Sequence, residues 1–147
     1  MPDQAALDAI RAVVEVLTPT TADGPGGAEL DVHRHVADSI DAALPGFLDM
    51  LVMLLDAYAG DVRAGASFAT LEPDERDRAM KAMAVEESQD MRELVGALFL
   101  FTFGGLYSEW TGYDRATGQL TPPWTWEALR YRGPVRGNPG YRPEAAS

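Results

Sequence analysis

The 147-residue chain contains no cysteine. That excludes disulfides, thiolate zinc sites, iron–sulfur clusters and covalent haem attachment through a C-x-x-C-H pair. Histidine is nearly as scarce, with two residues, His33 and His35. On a helix, an i, i+2 pair points to nearly opposite faces, so the two cannot converge on one metal. Neither has a Glu three residues before it, which also excludes a carboxylate-bridged di-metal bundle. His33 falls on an apolar stripe and is expected as a hydrogen-bonded core residue. His35 falls among acids and is expected in solvent.

Positive charge is the next shortage. Twelve basic residues face 23 acidic ones, for a formal charge of −11. The deficit is uneven: residues 1–110 hold 7 basic and 20 acidic side chains, residues 111–147 five Arg and three acids. An acidic body argues against nucleic acid and anionic membrane as partners, because phosphate binding needs a basic face. A long hydrophobic run is missing as well. The apolar stretch "LVGALFLFTFGGLY" covers residues 94–107, whereas a membrane span needs roughly 20 apolar residues. No span is expected, and 94–107 reads as a buried core helix of a soluble protein.

Catalytic patterns are also lacking. Ser39, Ser67, Ser88 and Ser108 have no nucleophile-elbow glycines around them. The "GPGG" run at 24–27 has neither a Lys-Ser/Thr ending nor a preceding strand, so it is a loop, not a phosphate cradle. Glu86-Glu87 reads as the acidic first turn of a helix, not as an acid–base pair. No catalytic, cofactor-binding or metal-binding residue is assigned. The start, "MPDQAALDAIRAVVEV", shows no basic region before an apolar core and no twin-arginine pair, so a cytoplasmic location is expected.

Helical periodicity is what the chain has in abundance. Leu7, Ile10, Val14 and Leu17 form one amphipathic stripe that stops before Pro19. Leu30, His33, Ala37, Ile40 and Leu44 form a second, broken by Pro45-Gly46. Residues 47–62, "FLDMLVMLLDAYAGDV", are apolar almost all round and are expected at the centre of the bundle, with Leu54 and Leu55 in the core. The methionines, Met50 and Met53 included, read as core filler. A short helix starts at Pro73 and carries Lys81 near its end. The last long helix is expected from about Glu86 to Tyr107, with Gly96, Gly104 and Gly105 marking close backbone approach. The fold class is therefore all-α, a bundle of about five helices, over residues 1–107, followed by an irregular arm over 108–147 that belongs to the same domain.

That arm is aromatic and Arg-rich, punctuated by Pro and Gly. "GYDRATGQLT" reads as a small hairpin around Thr117-Gly118, and "WEALRY" as a single helical turn. Tyr107, Trp110, Tyr113, Trp124, Trp126, Tyr131 and Tyr141 make up seven of the thirteen aromatic residues. Disordered segments are poor in aromatics, and Tyr, Trp and Arg are enriched at interface hot spots. These rings, with Arg130, Arg132 and Arg136, are the expected partner-binding residues. Two readings compete. In one the arm lies along a partner, anchored by Trp110, Trp124 and Trp126; in the other the rings fold back and cap the chain's own bundle.

Several segments resemble the gluconate 2-dehydrogenase subunit 3 family. They are "LTPTTADGPGGAELDVHRHVADSIDAAL", "FATLEPDERDRAM" and the ending "FTFGGLYSEWTGYD…PPWTWEALRYRGP". The features that carry the resemblance are Leu17-Thr18-Pro19, Pro25-Gly26-Gly27-Ala28, Val36 to Asp41, Phe68 to Leu71, Gly104 to Tyr113 and Trp124 to Pro134. It implies a non-catalytic small subunit that binds and stabilises an FAD-dependent flavoprotein of the glucose–methanol–choline (GMC) type, acting on a sugar, sugar acid or glycoside. It also implies that FAD sits on the partner, and that electrons pass in some complexes to a cytochrome c subunit. Many members carry a twin-arginine leader, which the sequence given does not show. The rival reading is a self-contained small-molecule-binding bundle with Phe99, Phe101 and Phe103 lining a pocket.

Overall fold

The computed structural model describes residues 2–114 and 116–131. The described chain is an all-α bundle of five long helices, α1 (Gln4–Leu17), α2 (Val32–Ala43), α3 (Phe47–Val62), α4 (Pro73–Ala84) and α5 (Gln89–Tyr107). A short helix, α6 (Trp124–Ala128), follows a 3₁₀ turn at Glu109–Gly112 and a hairpin of β1 (Tyr113–Asp114) and β2 (Gln119–Leu120). The hairpin pairs Tyr113 with Leu120 and Asp114 with Gln119. The hairpin stands where the sequence places it, whereas α6 begins two residues before "WEALRY" and ends at Ala128.

Local chemistry sets the helix ends. Asp3 accepts from the Ala6 amide at 2.8 Å and starts α1; Thr18 Oγ1 donates to the Val14 carbonyl at 2.8 Å and closes it, before Pro19. Pro73 occupies the first turn of α4, and Glu75 accepts from the Glu72 amide at 2.9 Å. Ser88 caps α5 at the Met91 amide. Glu86 and Glu87 therefore precede α5 and do not form its first turn, and their carbonyls accept from the Arg92 guanidinium at 3.4 and 3.0 Å.

The centre of the bundle is α1, not α3. Ala6, Ala9, Ile10, Ala12, Val13 and Val14 are all buried, and α1 touches each of α2, α3, α4 and α5. Three alanines let neighbouring helices approach it from several sides. In α3 only Leu48, Leu51, Leu55 and Ala59 are buried. Met50 and Met53 are 56% and 73% exposed, and Leu54 is only partly buried. The expectation that α3 is enclosed on all sides, with Leu54 and these methionines in the core, is overturned. Met80 and Met83 do fill the core.

The α5 helix departs from expectation in the same way. Its buried stripe is Val95, Leu98, Thr102, Gly105 and Leu106, while Phe99, Leu100, Phe103 and Tyr107 face outward. Close backbone approach occurs at Gly105. A Cβ there would lie 2.7 Å from His35 Cδ2 and 3.0 Å from Val32 Cγ1, whereas one at Gly96 or Gly104 would meet nothing within 4 Å. Contact with Gly105 and with the Trp110 ring, 5.3 Å away between centroids, makes His35 half-buried instead of solvated. His33 is buried as expected, but its Nδ1 finds no hydrogen-bond partner among the described residues. Burial lowers its pKa, opposed by Asp31 and reinforced by Arg11 and Arg34.

Candidate functional site: an apolar helix face and a folded-back arm

Beyond Tyr107 the described part of the arm folds against the end of the bundle where α2 begins and α5 ends. Ser108 accepts from the Trp110 amide at 3.2 Å, and Trp110 Nε1 donates to the Asp31 carbonyl at 3.4 Å. Asp31 is held at φ 56, in the left-handed region. The Trp124 ring lies so close over Gly24 that no side chain fits between them. Pro123, Thr125 and Trp126 are buried; Thr125 Oγ1 donates to the Leu106 carbonyl at 3.1 Å and Trp126 Nε1 to the Tyr107 carbonyl at 2.9 Å. The arm thereby supplies donors to carbonyls that the end of α5 leaves without intrahelical partners.

The α6 helix closes with a Schellman turn. The Arg130 amide donates to the Glu127 carbonyl at 3.0 Å and the Tyr131 amide to the Trp126 carbonyl at 2.7 Å. Arg130 takes the left-handed position, φ 53, that glycine usually fills. The Tyr131 ring meets Trp126 edge-on at 5.3 Å, the hydrophobic contact that accompanies this turn.

The residues expected to bind a partner thus separate into two groups. Trp126 is enclosed within the chain itself and Trp110 is half-buried against His35; both fasten the arm. Tyr107, Tyr113, Trp124, Arg130 and Tyr131 present exposed surface. Arg132, Arg136 and Tyr141 lie outside the described residues.

A further exposed apolar feature runs along α5, and of it only Tyr107 is among the residues expected to bind a partner. Phe99, Phe103 and Tyr107 stack as a ladder along α5, with centroids 5.9 and 6.4 Å apart and planes 8° and 12° from parallel. Beside it runs a row of Gly96, Leu100 and Gly104, with Leu100 72% exposed. On the other side of α5, Phe101 lines a trough against α2 and α3. Phe99, Phe101 and Phe103 therefore do not share one pocket. A cue was available in the sequence: α3 and α5 are both apolar nearly all round, and a domain this small cannot enclose two such helices.

Among the described residues, no group of His, Asp and Glu is placed to hold a metal, and no helix is long and apolar enough to cross a membrane. What the geometry defines, among the described residues, is a helical module with an exposed apolar face along α5. The chain belongs to the gluconate 2-dehydrogenase subunit 3 family, whose model matches residues 4–118. The family describes a subunit of a dehydrogenase, which implies an accessory role in a multi-subunit complex. The match ends at Gly118, so Trp124 to Pro134 lie beyond it. No curated protein and no solved structure matches the chain.

Proposed function

We propose that the chain is the non-catalytic small subunit of a complex whose catalytic subunit is an FAD-dependent, GMC-type flavoprotein oxidising a sugar, sugar acid or glycoside. The observation that carries this reading is the outward face of α5. Phe99, Leu100, Phe103 and Tyr107 lie together and exposed on one helix. A patch of this kind costs free energy in water and is normally covered in a functional assembly. Tyr113, Trp124 and Tyr131 add exposed aromatic surface on the arm. In this reading the flavin and the chemistry belong to the partner. The small subunit stabilises the partner by binding its folded state.

Co-expression with the candidate flavoprotein of the same genome, followed by sizing with flavin absorbance recorded, tests this. The expected result is a single species containing both chains and flavin, with dehydrogenase activity, while the small subunit purified alone is colourless and inactive. Separate elution of the two chains, or stoichiometric flavin on the small subunit alone, contradicts the reading.

A further inference from the structure

A second apolar feature lies between α3 and α5. Two cavities, of about 450 and 340 Å³, adjoin along Phe47, Asp90 and Leu94 and make a trough of two segments. In the larger, Met50, Met53 and Leu54 of α3 face Met91 and Leu94 of α5; in the smaller, Ala97 and Phe101 of α5 face Ile40, Ala43 and Leu44 at the end of α2. Its charged lining residues are Asp90 and Glu93, both exposed, and no Arg or Lys lines it. Along α5 the lining runs from Asp90 to Phe101, about 16 Å at 1.5 Å per residue, or three helical turns. Unbranched methionines on the wall suit a groove that reshapes around a guest side chain.

Resting on the subunit reading, we propose that this trough receives an amphipathic helical segment of the catalytic subunit, about three turns long. The guest's apolar side chains, at i, i+3 or i+4 and i+7, fill the trough, and flanking Arg or Lys residues meet Asp90 and Glu93. Charge selects this occupant over a second copy of the chain. With 20 acids against 7 basic residues in positions 1–110, the body of a second copy would mostly set acid against acid at the Asp90 end, whereas a cationic flank is attracted and steered to it.

The probes are two synthetic three-turn helices with the same leucine face, one flanked by Lys and the other by Glu. Their binding to the full chain is read by fluorescence anisotropy. The Lys peptide is expected to bind at least tenfold tighter than its twin, and Asp90→Lys/Glu93→Lys to erase or invert the preference. Met53→Glu, at a position so exposed that folding is spared, is expected to weaken both peptides. Equal binding of the twins, or no binding of either, overturns the proposal. With the flavoprotein itself, unchanged affinity of Met53→Glu and Asp90→Lys/Glu93→Lys overturns the trough assignment alone. Failure of the parent chain to bind the flavoprotein overturns the subunit reading, and the peptide comparison still decides the trough.

Discussion

Trp126 donates its indole N–H to the carbonyl of Tyr107, the last residue of α5, at 2.9 Å, with the indole almost fully enclosed. A tryptophan nineteen residues beyond the helix end thus completes that helix. Trp126→Ala is expected to cost about 3–5 kcal/mol of stability, the range for deleting a large buried ring. Trp126→Phe keeps much of the packing but strands the carbonyl, for about 1–3 kcal/mol. Urea denaturation of the isolated chain measures both. Parent-like stability of Trp126→Ala would show that the arm does not cap the bundle.

Adjacent leucines of α3 are expected to behave differently. Leu55 is fully enclosed, so Leu55→Ala leaves a cavity and costs about 2–5 kcal/mol. Leu54 lines the trough and is partly exposed, so Leu54→Ala should cost less than half as much. Equal losses in paired thermal melts would contradict the placement of α3.

Neighbouring glycines should respond with opposite signs. Gly104→Ala enters open space and removes a poor helix former, a gain of up to about 1 kcal/mol. Gly105→Ala drives a methyl into His35 and Val32, and overpacking of this kind costs about 1–3 kcal/mol. The sign of each change in melting temperature is the readout.

Stability should fall on mild acidification because of His33. Burial lowers its folded pKa below 6.5, so between that lowered value and 6.5 the unfolded chain binds more protons than the folded one. Its contribution to stability is complete above pH 6.5 and declines as pH drops through the window toward the folded pKa. Asp31 and Glu15 favour the charged ring, Arg11 and Arg34 oppose it, and burial outweighs them. Melting temperature against pH should flatten across this window in His33→Gln. An unchanged slope would exclude His33 as its source.

The helices were legible because proline, serine, aspartate and apolar spacing mark their ends and inner faces, as at Asp3, Pro19 and Pro73. Orientation was legible only where a helix has a polar side. In 94–107 the one side chain with a hydroxyl besides the terminal Tyr107 is Thr102, and it is fully buried with its Oγ1 unpartnered among the described residues. Leu100, on another side of the helix, is largely exposed. Composition therefore points the wrong way along α5, and packing against α2 decides which stripe is covered. The fate of the arm's rings was equally hidden. Whether an indole docks on its own bundle depends on the long-range placement of Gly24, Asp31 and Tyr107, which no local pattern encodes.

The most direct test of the central claim is the affinity of the catalytic flavoprotein for the Leu100→Asp/Phe103→Asp variant, titrated beside the parent chain. Both positions are exposed, so the variant should keep its helical circular dichroism. If the outer face of α5 is the subunit interface, each change should remove a hot spot worth about 2 kcal/mol, so Kd should rise by well over tenfold. A folded variant that binds the flavoprotein as tightly as the parent would contradict the account.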